Sequence, residues 1–224
     1  MSNTSRRAWL MQAAALGLGA GFVSPRLASA ATLEPSWPMD LGPFYPVEKP
    51  LESDADLTRL DGHAKRAQGQ VVELTGRILA HDGTPVPRAK IEIWQANSFG
   101  RYHHHGDGHD TIQPDPDFQG YALQEADDQG RFRFLTVKPG AYPAGSFMRS
   151  PHVHFDVQGR YTRLVTQMYY PNEPLLGQDK VLKHDLFGHT NPMPANIFGA
   201  LTPGGSTLEP GAALCRFDIV LGDG

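Results

Sequence analysis

From residue 71 onward, the chain alternates short apolar runs with clusters of turn-forming residues. The runs are rich in β-branched and aromatic side chains, and alternation with a period of two is typical of half-buried strands. Residues 131–134 (RFRF) show it clearly, because the alternation puts both phenylalanines on one face. The candidate strands are residues 71–80, 89–96, 131–137, 152–157, 163–169 and 213–221.

Clusters of turn-forming residues separate these runs. Residues 81–85 (HDGTP) and 127–130 (DDQG) contain Asp and Gly, which accept the backbone angles that a hairpin needs. No helical period of convincing length competes with the strands. We therefore predict a mostly β fold, a single β-sandwich domain.

Two segments lack this alternation. Residues 31–66 are rich in Pro, Asp and Glu, which predicts an irregular N-terminal arm or short helix lying over the core. Residues 183–210 hold Gly, Pro and Asn with little periodicity, and a loop of that length usually covers a site or an interface. We expect the arm and the long loops to cover an active site.

The N-terminus has the pattern of an export signal. Residues 5–10 (SRRAWL) precede an apolar run over residues 11–23, and residues 28–30 (ASA) fit a cleavage site. The Arg6-Arg7 pair resembles a twin-arginine signal, which hands a folded protein to the twin-arginine translocon; an ordinary secretory signal is the alternative. We predict a signal peptide over residues 1–30, one domain over residues 31–224, and a periplasmic location.

Composition narrows the partners once residues 1–30 are removed. The remaining 194 residues keep 17 basic and 24 acidic side chains, a net charge of −7, with no basic stripe for nucleic acid. Cys215 is the only cysteine, so an internal disulfide is excluded and any metal must use oxygen and nitrogen ligands. An oligomer is compatible with these features.

A His-x-His pair is the clearest candidate for chemistry. On the predicted strand 152–157, His152 and His154 share one face, while Val153, Phe155 and Val157 share the other. Two imidazoles on a rigid strand form half of a metal site. Taken alone, the pair could equally be a polar cross-strand pair on a half-solvated face.

Two tyrosines stand just beyond predicted strand ends. Tyr142 follows Pro139 and Gly140 in a rigid turn, and Tyr102 follows the strand at residues 89–96. Phenolate is a hard, strongly donating ligand, and its ordinary pKa of about 10 falls on metal binding. Two phenolates with two imidazoles would hold Fe(III) rather than Fe(II).

Five ordered segments together give a specific resemblance. They are residues 42–46, 92–102, 138–143, 149–155 and 166–170. On these segments the chain resembles the intradiol ring-cleavage dioxygenases, the family of catechol and protocatechuate 3,4-dioxygenases. Ala144 stands where protocatechuate enzymes often carry a tryptophan. The resemblance nevertheless leans toward the iron-bearing subunit of the protocatechuate type.

The resemblance implies a non-haem Fe(III) site and a reaction. Its ligands would be Tyr102 and His152 in the equatorial plane and Tyr142 and His154 on the axis. The substrates would be a catechol-type aromatic 1,2-diol and O2, with the ring cleaved between its hydroxylated carbons to a muconate-type diacid.

The resemblance also implies catalytic roles beyond the metal. Tyr142 would act as general base as well as ligand. Arg149 and Gln167 would lie beside the substrate, with Arg149 stabilising negative charge on the ring.

Two further features have two interpretations each. Tyr45 would line the mouth of the substrate pocket or, alternatively, pack over the edge of the sandwich. The histidine-rich loop, residues 103–110, holds four histidines and two aspartates and could form a second metal site. We favour a polar loop at the pocket rim, because consecutive side chains diverge.

Two other functions remain as alternatives. An exported, non-catalytic β-sandwich module would use the histidines for a divalent metal at most, and it would have no need of the tyrosines. A zinc hydrolase is disfavoured because no Glu or Asp stands at a helical spacing to serve as third ligand or base.

Overall fold

The computed structural model describes residues 32–185 and 193–222. The predicted signal peptide lies outside these residues. The described part of the chain contains eleven strands, one short α-helix and a 3₁₀-helix at Ala195–Ile197. The elements are β1 (Val71–Ala80), β2 (Lys90–Trp94), β3 (Tyr121–Glu125), β4 (Arg131–Val137), β5 (Tyr142–Ala144), β6 (Phe147–Arg149), β7 (His152–Gln158), β8 (Arg163–Tyr169), α1 (Lys180–Asp185), β9 (Ala200–Thr202), β10 (Ala213–Arg216) and β11 (Ile219–Leu221).

The strands form two main sheets around one core. In the first sheet, β1 pairs with antiparallel β4 on one side and with parallel β10 and β11 on the other, while β9 pairs with β10. The second sheet has the order β3-β2-β7-β8 and is antiparallel throughout. Buried side chains such as Leu74 and Phe134 from one sheet and Ile93 and Phe155 from the other share one cluster. The mostly β sandwich is confirmed.

Strand β7 is an inner strand of the second sheet, between β2 and β8. Val153, Phe155 and Val157 belong to the core between the sheets, so His152 and His154 point to the opposite face. That face is also buried, because the N-terminal arm covers it: a Cβ atom added to Gly42 would lie 3.2 Å from His154 Cε1. Both sides of the histidine strand are thus shielded from water.

Three predicted strands, residues 71–80, 131–137 and 163–169, have the observed bounds. The strand predicted at 152–157 extends to Gln158, and the strand predicted at 89–96 is shorter, Lys90–Trp94. The prediction of one strand over residues 213–221 is wrong, since β10 ends at Arg216 and β11 begins at Ile219. The interruption has a local cause: the side chain of Asp218 accepts the N–H of Arg77 at 2.9 Å, replacing the backbone ladder.

Sequence patterns missed β3 and the short strands β5, β6 and β9. Strand β3 is an edge strand that ends in Gln124 and Glu125, so its solvent-facing half carries no apolar signal. Strands β5 and β6 form a separate two-stranded hairpin of three residues each, too short for a period to be read.

The two irregular segments are confirmed in outline. Residues 32–66 contain no helix, and their only strand-like pairing is the bridge between Asp56 and Leu135. Residues 183–210 contain the end of α1, the 3₁₀-helix and β9, with residues 186–192 outside the described part.

No helix among the described residues has the length and apolar character needed to cross a membrane.

Candidate metal centre and active site

The two histidines come from β7 and are fixed by their cross-strand neighbours. His154 lies opposite Trp94 of β2 and Gln167 of β8, and His152 lies opposite Tyr169 of β8. The Trp94 ring stacks on the His154 ring at 4.7 Å between centroids and 11° between planes. The two imidazole Nε2 atoms therefore meet at 3.1 Å.

Tyr102 lies in the loop after β2 and Tyr142 is the first residue of β5, and the loops that lead to them touch each other through glycines. Tyr102 and Tyr142 each lie two residues after a glycine, Gly100 and Gly140. A Cβ atom added to Gly140 would lie 2.5 Å from Gly100 N, and one added to Gly100 would collide with the carbonyl oxygen of Ala141. Only glycine at both positions lets the two backbones approach this closely.

Asn97 joins the same two loops by hydrogen bonds. Its side-chain Oδ1 accepts the N–H groups of Phe99 at 2.9 Å and Arg101 at 3.0 Å, which shapes the loop leading to Tyr102. Its carbonyl oxygen accepts the N–H of Gly140 at 2.9 Å, in the loop leading to Tyr142. The position of each tyrosine thus depends on the other loop.

The structure brings the four predicted ligands together. Tyr102 Oη lies 3.3 Å from His152 Nε2, and the rings of Tyr102 and Tyr142 are 5.4 Å apart and perpendicular. The rings of Tyr142 and His152 are 5.8 Å apart. None of the four side chains, His154 included, is more than 5% exposed. Two phenol oxygens and two imidazole nitrogens thus face one buried point.

Burial sets the charge of these groups. It raises the pKa of Tyr102 well above 10, with the nearby Tyr142 adding to the effect. It lowers the pKa of His152 well below 6.5, helped by the positive charge of Arg149, and the pKa of His154 in the same way, with His152 adding to the effect. The imidazoles are therefore neutral, as metal ligands must be, and only a strong cation would ionise the phenols.

The tautomer of His152 leaves the lone pair of its Nε2 atom free to bind a metal. Its Nδ1 lies 2.6 Å from the carbonyl oxygen of Ser150, so the proton resides on Nδ1 and the lone pair on Nε2. His154 Nδ1 is buried and has no hydrogen-bond partner among the described residues. Within the described residues, no group of three His, Cys, Asp or Glu side chains is placed to hold a metal. Two tyrosines and two histidines form a donor set that would fit a trivalent iron.

Arg149 lies beside this centre with its direction fixed. Strand pairing places it opposite Tyr142 in the β5–β6 hairpin. Its Nη2 donates to Gln167 Oε1 and to Tyr169 Oη, each at 2.9 Å. Burial alone would lower its pKa, but Tyr169, Tyr142 and the carboxylate of Asp179 outweigh burial and raise it, so the guanidinium stays charged. Gln167, the other predicted residue here, is held through its Nε2, which donates to Asp40 O at 3.1 Å.

The N-terminal arm covers the centre. The ring of Phe44 packs on Tyr102 at 4.6 Å, and Gly42, with a φ of +73°, approaches His154 so closely that a Cβ would lie 3.2 Å from its Cε1. Tyr45 packs edge-on against Trp94 at 4.9 Å and donates to Glu92 Oε2 at 3.0 Å. Tyr45 thus lies over β2, an inner strand of the second sheet, and its contact with substrate stays a prediction.

The histidine-rich loop borders the site at one residue. His103 and His105 are exposed, whereas the ring of His109 lies 5.9 Å from that of Tyr142. Asp107 accepts the N–H of Tyr102 at 2.7 Å, and its Oδ1 lies 2.6 Å from His109 Nδ1. This geometry suits a rim loop that supports Tyr102. The predicted absence of a second metal stays a prediction.

Sequence reasoning assigned no role to Trp94, Phe44, Tyr169 or Asp179. Tyr169 was within reach, because it shares a strand face with Gln167 at a spacing of two. Asp179 carried no signal, since it is a lone acid in a loop whose contact with Arg149 spans 30 residues.

A surface groove of about 1380 Å³ lies elsewhere, on the outer face of the first sheet. Its arginines include Arg77, paired with Asp218, and Arg133, paired with Glu73. The buried cluster, where four donor side chains come together, is the better candidate site.

Known proteins share this fold and much of this sequence. The Dioxygenase_C family model, described as a dioxygenase, matches residues 41–222. The protocatechuate 3,4-dioxygenase β chain of Burkholderia cepacia is 39% identical over 176 residues, which cover 72% of this chain and 74% of that one. A hydroxyquinol 1,2-dioxygenase of Rhizobium sp. strain MTP-10005 is 34% identical over 156 residues, covering 63% of this chain but only 50% of the relative.

Solved structures agree on the fold. The 3-chlorocatechol 1,2-dioxygenase of Rhodococcus opacus 1CP superposes with a TM-score of 0.64 at 19% identity, covering 88% of this chain and 75% of that one. The dioxygenase domain of a carbohydrate-binding fusion from Streptomyces sp. SirexAA-E superposes with a TM-score of 0.63 at 21% identity, covering 85% of this chain and all of that one.

Proposed function

This chain belongs to the dioxygenase family and is an intradiol ring-cleaving enzyme, and from that premise we propose that it cleaves a catechol-type aromatic 1,2-diol with O2 at a non-haem iron(III). The product is a muconate-type diacid. The observation that supports iron is the meeting of two phenol oxygens, from Tyr102 and Tyr142, with two imidazole nitrogens, from His152 and His154, at one buried point. When bound, ferric iron would supply Lewis acidity for loss of the diol protons and an acceptor for electron density from the ring.

The protein's own groups divide the remaining work. Tyr142, which a bound metal would hold as its phenolate, accepts one proton from the diol at Oη, and the second diol proton passes to hydroxide from solvent. Arg149 presents a fixed positive charge to the negative charge that grows on the substrate ring. Gln167 holds the guanidinium in place through its Oε1. The arm, with Phe44 over Tyr102, keeps bulk water away.

Metal analysis with a visible spectrum tests this proposal. The purified protein should contain iron and show the coloured band of phenolate-to-iron charge transfer. Catechol, protocatechuate and hydroxyquinol, added one at a time without oxygen, should shift the band if they bind. Air should then convert the true substrate to its ring-cleaved diacid. A colourless protein without iron, or a band that no catechol shifts, would overturn the proposal.

The family assignment sets aside a non-catalytic binding module. The zinc hydrolase is also disfavoured, because two of the four side chains at the centre are tyrosines.

We further propose export through the twin-arginine translocon, directed by residues 1–30. The support is the Arg6-Arg7 pair followed by an apolar run and a small-residue cleavage site. Changing both arginines to lysine should leave folded, iron-loaded protein in the cytoplasm. Continued export of the double variant through the general secretory route would overturn this part of the proposal.

A further inference from the structure

Asp179 is a fully buried carboxylate to which the proposed mechanism gives no role. It directly precedes α1, and its Oδ1 accepts the N–H of Leu182 at 3.0 Å, as a residue that caps a helix does. A cap needs only one acceptor. The rest of this carboxylate faces away from the helix and toward the active site, so capping does not account for its position.

The main partner of Asp179 is Arg149. Arg149 Nε lies 3.1 Å from both carboxylate oxygens, and the side chains are 4% and 0% exposed. A guanidinium this deeply buried needs a counter-charge nearby, and removing one partner of such a pair is strongly unfavourable. Asp179 holds the Nε edge of the guanidinium, while Gln167 and Tyr169 accept from Nη2. Contacts on two edges fix the plane of the group.

The same carboxylate also holds the peptide that orients a histidine. Asp179 Oδ2 accepts the N–H of Ser150 at 2.8 Å. The carbonyl oxygen of Ser150 lies 2.6 Å from His152 Nδ1, the contact that keeps the lone pair on Nε2. One carboxylate therefore supports both the charged side chain beside the centre and Ser150, whose carbonyl oxygen holds the ring of His152.

We propose that Asp179 is a positioning residue for ring cleavage, acting through Arg149 and the Ser150 peptide rather than on the substrate. This inference rests on the proposed function, which gives Arg149 its part in the reaction. Asp179 aims the guanidinium at the place where negative charge grows, so its loss lowers transition-state stabilisation more than substrate binding.

Asp156, on β7, provides a matched control. Its carboxylate is also fully buried and also bonds an arginine through two contacts, Arg163 Nε at 2.9 Å and Nη2 at 2.8 Å. The Arg163 side chain, however, is 54% exposed, so its charge keeps water as a partner. Asp156→Asn breaks an ion pair of the same type, and we expect it to leave turnover near the wild-type level.

Asp179→Asn is the test, because it removes the charge and keeps the shape. We expect kcat to fall about 10–100-fold, with KM and iron content little changed. A residue that served only to start α1 would lower thermal stability and leave kcat per bound iron near the wild-type value. Wild-type kcat in Asp179→Asn at full iron content would overturn the proposal.

A double-mutant cycle with Arg149→Gln separates positioning from general support. If Asp179 acts through Arg149, Asp179→Asn should cost little more turnover once Arg149 is gone, so the two losses do not add. Equal losses in both backgrounds would overturn the proposal. If Asp179→Asn does not fold alone, the double variant should, because it buries no unpaired charge. Failure of both to fold would show that Asp179 is structural.

Amide exchange gives a readout that does not depend on turnover. The Ser150 amide hydrogen should exchange faster with solvent in Asp179→Asn than in the wild type or Asp156→Asn. The expected difference in exchange does not depend on activity. If the wild type cleaved no catechol, only the proposed function would be overturned. Unchanged exchange at Ser150 would defeat the positioning role alone.

Discussion

The two halves of the candidate metal centre are built in different ways. His152 and His154 lie on β7, an inner strand, where alternation alone sends both rings to one face. Tyr102 and Tyr142 lie beyond the ends of β2 and β4, separated by 40 positions in the sequence. Their loops are joined by the contact between Gly100 and Gly140. Local strand geometry thus positions the two histidines, and a long-range contact positions the two tyrosines.

This difference has a physical consequence. A strand paired on both sides resists small changes, because each residue is held by backbone hydrogen bonds to β2 and β8. The tyrosine loops have only a few hydrogen bonds, several of them to Asn97, and a close contact that a single methyl group would break. We therefore expect the histidine half to lose iron when a donor side chain is removed. The tyrosine half should lose iron in that case and also when a tyrosine is displaced.

The largest effect should follow from removing a histidine. His152→Ala or His154→Ala takes one neutral donor from a four-donor site, so we expect iron and activity to be lost together. Metal analysis and the visible spectrum measure both. His105→Ala, in the exposed part of the histidine-rich loop, should keep its iron. If His152→Ala and His154→Ala both retained iron and His105→Ala lost it, the metal site would be assigned to the histidine-rich loop instead.

A smaller effect on iron, but a large one on turnover, is expected for Tyr142→Phe. The ring keeps its volume, so the fold should survive, and iron should remain bound by Tyr102 and the two histidines. Loss of the general base should lower turnover by ~10²–10⁴-fold, far more than the loss of iron. Kinetics at matched iron content test this. Wild-type turnover in Tyr142→Phe would exclude Tyr142 as the base.

The sequence predicted the histidine half for the same reason that the structure makes it robust. A period of two is visible in any strand of ordinary length, and it placed His152 and His154 on the face opposite Phe155. Tyr102 and Tyr142 were candidates because each follows a predicted strand end, and the family resemblance then implied their roles as ligands. No local pattern shows that Gly100 and Gly140 touch. The network around Arg149 was only half visible, because the bond from Asp179 depends on where a loop returns.

Gly140→Ala tests the contact between the tyrosine loops directly. Its φ is not in the left-handed region, so the substitution acts by volume alone, with the new Cβ within 2.6 Å of Gly100 N and Ser98 O. Overpacking of this kind typically costs about 1–3 kcal/mol, and we expect weaker iron binding as Tyr142 shifts. Gly177→Ala, where a Cβ meets nothing within 4 Å, is the control. Equal unfolding temperatures and iron contents in the two variants would contradict this account.

The smallest effect concerns Glu92, which fastens the arm over the histidine half. Burial acts to raise its pKa, but hydrogen bonds from Lys49, Lys90 and Tyr45 outweigh burial and lower the pKa from 4.5 to about 2. The unfolded chain therefore binds a proton more readily than the folded one between these values. The stability that the Glu92 carboxylate contributes is complete above pH 4.5 and is lost as the pH falls toward 2.

Glu92→Gln should lower the free energy of unfolding at neutral pH by about 1–2 kcal/mol, a figure that allows for solvent around the lysines. Between pH 4.5 and 2, the variant should lose less stability than the wild type does. Denaturant unfolding at several pH values measures both effects, and subtracting the two curves cancels other titrating groups. Glu125→Gln is the control, since its pair with Arg88 is exposed and contributes little. If the wild-type and Glu92→Gln curves stay parallel down to pH 2, the arm is not held by this carboxylate, and the cover over His154 must depend on the packing of Tyr45 and Trp94 alone.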